Sequence, residues 1–145
     1  MFELLPGPRL LLPHGAGTLS FGMGEQQAQW ALSTLCDVRP GWVCGTAWAC
    51  SGEFDGVRVL MWGALEEPHT GGLEFIEVAR IEDPPRGPCV TPFAWDGIDL
   101  LGYPQHEIAP FAPDEVELCA PAVPEAYVRA VRLGAGRRRS ARPGR

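Results

Sequence analysis

Cysteine and histidine are the side chains of this sequence best suited to nucleophilic or metal chemistry, and they occur as Cys36, Cys44, Cys50, Cys89 and Cys119 with His14, His69 and His106. A thiolate beside an imidazole can act as a nucleophile. Cys36 falls at the end of an expected helix, where the helix dipole disfavours a thiolate. Cys44 and Cys50 alternate with expected core positions and read as small buried hydrophobes. Cys89 is then the one cysteine in a polar, flexible setting, and no thiol-enzyme signature surrounds any of the five. Successive cysteines lie 8, 6, 39 and 30 positions apart, whereas structural zinc sites use short paired spacings. Neither a metal nor a cofactor is expected, and no residue is assigned a catalytic role.

Phosphate binding is the next chemistry to weigh. His14-Gly15-Ala16-Gly17 follows a strand-like run and resembles the start of a dinucleotide loop, but the third glycine would fall at Ser20, and Phe21-Gly22 prevents a helix from opening there. The chain has no lysine, hence no Walker lysine. A small enzyme or ligand-binding domain working from the His14 to Met23 loop, with His14, Gly15, Gly17 and His106 as its ligand residues, is retained as the alternative function. The acid pairs Glu66 with Glu67, Glu82 with Asp83, Asp96 with Asp99 and Asp114 with Glu115 read as solvated charges. Paired-carboxylate catalysis needs two acids set across a cleft in unlike environments. Asp96-Gly97-Ile98-Asp99 lacks the further oxygen ligands of a calcium loop.

Five tryptophans remain. An aromatic ring buries a large area, so core positions are expected for most of them. Trp48 and Trp62 fall on adjacent expected strands and carry a second reading as an exposed aromatic patch. Together with Glu66, Glu67, Asp96 and Asp99 they form the expected surface for a basic protein partner.

Charge supports that reading. Residues 1–128 carry 5 arginines against 18 acids, a balance of −13, while residues 129–145 carry 7 arginines and no acid. An acidic body repels phosphate backbones, so nucleic-acid contact is expected at most through Arg137, Arg138 and Arg139. Residues 134–145 read as a solvated, disordered basic tail, with docking on the chain's own acidic body as another reading. The apolar runs fall far short of the roughly 18 residues of a membrane span, and no signal architecture opens the chain. A cytoplasmic location with reduced thiols is expected. The absence of lysine and asparagine beside abundant alanine, glycine, proline and arginine fits a genome of high G+C content.

The elements that must position these residues begin with a strand at Arg9 to Leu12. A helix follows from Gly24 as its cap, with Ala28, Ala31, Leu32 and Leu35 on one stripe, ending near Cys36 or Asp37. Gly41 to Cys50, Val57 to Gly63 and Leu73 to Ile81 read as strands of an antiparallel meander, the first two joined by a loop over residues 51–56. Asp83 to Pro88 reads as an exposed loop. Val116 to Ala120 is a further strand, and Glu125 to Leu133 fits a strand or a short helix. Phe21-Gly22-Met23-Gly24-Glu25-Gln26-Gln27-Ala28 echoes Leu101-Gly102-Tyr103-Pro104-Gln105-His106-Glu107-Ile108 at an offset of 80 residues, consistent with a duplicated strand-turn-helix unit. The expected fold is α+β, an antiparallel meander sheet packed against two short helices, in one domain over residues 1–133.

At Gly17 to Leu35 and Leu73 to Gly102 the chain resembles small actinobacterial α+β proteins that combine a Phe/Leu-Gly-Met helix unit with Phe-Ile-Glu and Gly-Ile-Asp-Leu-Leu-Gly segments. The Phe-Gly-Met helix unit is also similar to helix-sheet modules of β-lactamase-inhibitor-like proteins and small outer-membrane lipoproteins. These resemblances imply a binding scaffold without catalytic residues, of the kind used by immunity proteins of bacterial toxin systems. The expected function is therefore a non-enzymatic cytoplasmic interaction domain.

Overall fold

The structure, a computed structural model, describes residues 1–7, 9–67 and 70–134. His69 and Arg137, Arg138 and Arg139 lie outside the described residues, as does the expected disordered tail beyond Gly134.

The fold is α+β, with two sheets and two short helices. The strands are β1 (Phe2–Leu5), β2 (Arg9–Leu11), β3 (Thr18–Ser20), β4 (Val38–Gly41), β5 (Thr46–Phe54), β6 (Val57–Ala64), β7 (Leu73–Arg80), β8 (Phe93–Trp95), β9 (Ile98–Asp99), β10 (Val116–Cys119) and β11 (Ala130–Gly134). Helix α1 (Glu25–Leu35) follows β3, and α2 (Gln105–Ile108) follows β9. The smaller sheet has the order β3-β2-β1-β8-β9, with β1 and β8 parallel, and the larger has the order β10-β11-β7-β6-β5-β4.

Strands β5 to β7 form the expected meander, extended by β4, but a single sheet was expected and two are present. The strands absent from the sequence reading, β1, β4, β8 and β9, are two to four residues long and acquire their order from partners elsewhere in the chain. Strand β5 starts at Thr46 and runs to Phe54. The expected loop over residues 51–56 is thus a tight turn at Asp55-Gly56, whose φ angles of 43° and 85° suit the turn that follows strand twist. Asp96-Gly97 makes the same kind of turn between β8 and β9, with φ of 49° and 79°. Residues 130–134 resolve the strand-or-helix alternative as strand, and Gly134 belongs to β11 rather than to the tail.

The two echoed segments occupy equivalent places. Each runs from an edge strand of the smaller sheet, β3 or β9, through a helix to an edge strand of the larger one, β4 or β10. The cap residues matched by the offset, Gly24 and Pro104, each make an isolated antiparallel bridge, to Gly72 and to Tyr127.

One apolar cluster joins both sheets and both helices. Phe2, Leu4, Leu10 and Leu19 of the smaller sheet meet Val57, Val59, Met61, Ile76 and Val78 of the larger, with Ala28, Leu32 and Ile108 from the helices. Alternation along each strand puts these side chains on the inner face of the larger sheet and turns the next residues outward. The outer face is therefore the one that carries Leu60, Trp62, Phe75, Glu77 and Arg132.

Candidate interaction site

The outward face of β6, β7 and β11 holds a groove of about 590 Å³. The register pairs Trp62 with Phe75, Leu60 with Glu77, Glu77 with Arg132, and Phe75 with Gly134, so three adjacent strands bring these side chains to one patch. Trp62 and Phe75 stack with ring centroids 3.7 Å apart and planes 5° from parallel. Phe75 is buried, whereas Trp62 is half-buried and borders the groove. Gly134 stands at the outward position opposite Phe75 and lines the groove.

The polar rim is acidic. Arg132 Nε donates to Glu77 at 2.6 Å, and an Arg132 guanidinium nitrogen lies 3.8 Å from Glu117. The bond to Glu77 chiefly holds the Arg132 guanidinium above its usual range. Glu74 is exposed, lines the groove and makes no salt bridge among the described residues. Glu77 and Glu117 thus engage the Arg132 guanidinium, and Glu74 is a further acid on the groove.

The expected site residues separate. Trp62 lies in the groove, and exposed Glu66 and Glu67 follow it on the β6–β7 connection, at the end of the strands that bears the stack. Trp48 is not part of an exposed patch. It is 8% exposed in the core, packs over Gly63, and donates its indole N–H to the Gly71 carbonyl at 2.8 Å. Trp48 shares the inward parity of Cys50, opposite Gly63 as Cys50 is opposite Met61. Asp96 forms the turn of the smaller sheet. Asp99 is not a free surface charge, because one of its oxygens accepts from the Phe93 and Leu101 amides at 3.0 Å each. The two aspartates therefore lie on a different sheet from the groove.

The alternative ligand loop is also dispersed. His14 has a left-handed φ of 57° and sets its ring edge-on to Phe54 at 5.6 Å. Gly15 and Gly17 have φ of 68° and 125°, and the Gly17 carbonyl accepts from the Leu12 amide, so the glycines shape the turn into β3. His106 Nδ1 meets the Pro124 carbonyl at 2.7 Å. His14, Gly15, Gly17 and His106 line neither the sheet groove nor a further cavity, but Ser20 and Met23 of the His14 to Met23 loop border that cavity together with Gln26, Gln27 and Trp30.

Two cysteine assignments are reversed. Cys89 is buried and Cys44 exposed, because Cys89 packs into the core cluster with its amide donating to the Leu101 carbonyl, while residues 42–45 lie between β4 and β5. Cys50 is buried as expected, and burial pushes its thiol up to about 12. Burial likewise raises the thiols of Cys36 and Cys119. All five cysteines are free thiols. Trp30 and Trp42, expected in the core, are 77% and 84% exposed. No group of three or more potential metal ligands occurs among the described residues, and no helix among them is long and apolar enough to cross a membrane.

No family profile, curated protein or solved structure matches this chain. The groove's function therefore has to be argued from its chemistry. Sequence reasoning missed Phe75, Glu74, Glu77, Arg132 and Gly134 as site residues. Alternation alone placed Phe75 and Glu77 on the same face of one strand, but only pairing with β6 and β11 puts them beside Trp62 and Arg132.

Proposed function

We propose that this protein is a non-enzymatic, cytoplasmic interaction domain that binds a basic protein partner on the outer face of its larger sheet. The observation that carries this reading is a half-buried Trp62, stacked on Phe75, in a groove rimmed by Glu74 and Glu77. An arginine of the partner can lay its planar guanidinium on the free face of an indole while its N–H groups reach a carboxylate. Burial of the aromatic anchor supplies affinity, and the acidic rim supplies orientation and rate of encounter. The acidic balance of the described body supports the same sign of partner. An immunity-type role, in which the domain holds a basic bacterial protein, is the most concrete form of the proposal. Thiols held up by burial, as at Cys50, favour binding over nucleophilic catalysis.

Titration of the full chain with an arginine-rich peptide, read by isothermal titration calorimetry, tests the proposal. Binding is expected to weaken as salt rises and to fall by about tenfold or more in Trp62→Ala and in Glu74→Gln. Equal binding by the native chain and both variants would overturn it.

A further inference from the structure

Among the described residues Arg132 is the only cation that lines the groove, and it stands directly opposite an acid on each side. Register pairs it with Glu77 of β7 and with Glu117 of β10, so the three side chains form one row across β7, β11 and β10. Its Nε donates to Glu77 at 2.6 Å, while another guanidinium nitrogen stops 3.8 Å from Glu117. The guanidinium therefore occupies the first of two seats, and a closure of about 1 Å would complete a charge-assisted bond at the second. Glu77 is also the better shielded of the two acids that line the groove, its side chain 18% exposed where Glu74 is an exposed residue.

We propose that Arg132 is a built-in competitor at the groove: it holds Glu77 in the free protein and passes to Glu117 when a partner's arginine takes Glu77 beside Trp62. The inference rests on reading the groove as an arginine-accepting surface. A shielded carboxylate is screened least by water and salt, so Glu77 is the stronger of the two acids for an incoming guanidinium. It lies two residues from Phe75 on the same face of β7, about 7 Å along the strand, and lines the groove together with the Trp62–Phe75 stack. Displacement strands no charge, because Glu117 takes up the Arg132 guanidinium as Glu77 gives it up. Partly exposed ion pairs are each worth little, so the exchange itself costs little. Arg132 nevertheless sets a threshold, since an incoming cation has to displace a guanidinium already in place, which favours a side chain that both stacks and forks over a lone ammonium.

Isothermal titration calorimetry of an arginine-rich peptide into the native chain and four variants tests this, with urea unfolding to show that each variant is folded. Arg132→Gln is expected to bind about fivefold tighter, and Glu117→Gln, which leaves Arg132 no second seat, about fivefold weaker. Arg58→Gln and Glu53→Gln remove the same unit charges from an exposed pair outside the groove lining. Each is expected to change binding by less than about twofold. Equal binding by the native chain, Arg132→Gln and Glu117→Gln would overturn the competitor and leave the arginine-accepting groove standing. Weaker binding by Arg132→Gln would also overturn it and make Arg132 a contact of the partner. Equal gains in Arg132→Gln and Arg58→Gln would reduce the effect to net charge and overturn it. Binding by Arg132→Gln with none by the native chain would sustain the competitor in its strongest form. No binding by any chain would overturn this inference together with the partner-binding reading. Should Arg132→Gln fail to fold, Glu117→Gln decides alone, and binding no weaker than that of Glu53→Gln overturns the proposal.

Discussion

Trp62 on β6 and Phe75 on β7 are direct cross-strand neighbours whose rings stack face to face, 3.7 Å between centroids. The stack covers one face of the indole, and both rings border the groove. An aromatic pair of this kind contributes about 0.5–1.5 kcal/mol beyond the area it buries.

Trp62→Ala should therefore destabilise the domain by about 1–2 kcal/mol, the pair term plus part of the ring's burial, while the core on the inner face remains intact. A urea unfolding curve reads this as a lower midpoint at unchanged slope. A loss well above that range would make the ring a core element.

Gly63 lies beneath the buried indole of Trp48. A Cβ at Gly63 would stand 2.0 Å from Trp48 Nε1. Gly63→Ala must push the ring off its bond to the Gly71 carbonyl, and a loss of about 1–3 kcal/mol is expected. Thermal melting of the variant checks it, and an unchanged Tm would show that the ring can move freely.

Asp99 Oδ1 binds two backbone amides, those of Phe93 and Leu101, at the open end of the β8–β9 hairpin. Asp99→Ala strands both donors in a half-buried setting and should cost about 1.5–3 kcal/mol. Asp99→Asn keeps an oxygen acceptor and should recover most of the loss. Hydrogen exchange at the Phe93 and Leu101 amides distinguishes the two variants.

Cys50 is buried on the inner face, and its thiol is held up to about 12 against 9.0 in its ordinary state. Between these values the folded chain retains a proton that the unfolded chain has released. Stability contributed by the neutral thiol is complete below pH 9 and is lost as pH rises toward 12. A single thiol gives a slope of at most about 1.4 kcal/mol per pH unit. Cys50→Ala should flatten the alkaline decline, leaving the smaller parts due to Cys36 and Cys119, which shift in the same direction. Denaturant titrations across the alkaline range measure it, and an equally steep decline in the variant would assign the effect elsewhere.

The sequence alone determined the elements whose order is local. The spacing of Ala28, Ala31, Leu32 and Leu35 specifies α1, which ends at Leu35 because the stripe ends there. Alternation specifies β6, β7 and β10 within a residue or two of their observed bounds. The two Asp-Gly turns carry a local signal, since both central residues need a positive φ that this pair tolerates, but the sequence pattern reads as a loop over residues 51–56 and as surface charges at Asp96 and Asp99.

Tertiary structure decided the rest. Strands β1 and β8 pair in parallel across most of the chain length, a contact that neither segment's own pattern encodes. Trp48 and Trp62 look alike in sequence, yet Trp48 has the parity of Cys50 and Trp62 that of Leu60, and only packing of the smaller sheet on one face makes the first a core position and the second a groove position. Asp99 became a backbone ligand once β8 and β9 closed around it. The groove exists because register joins Trp62, Phe75, Glu77 and Arg132 from three strands. Long-range pairing selects which periodic positions become neighbours, and no local propensity contains that choice.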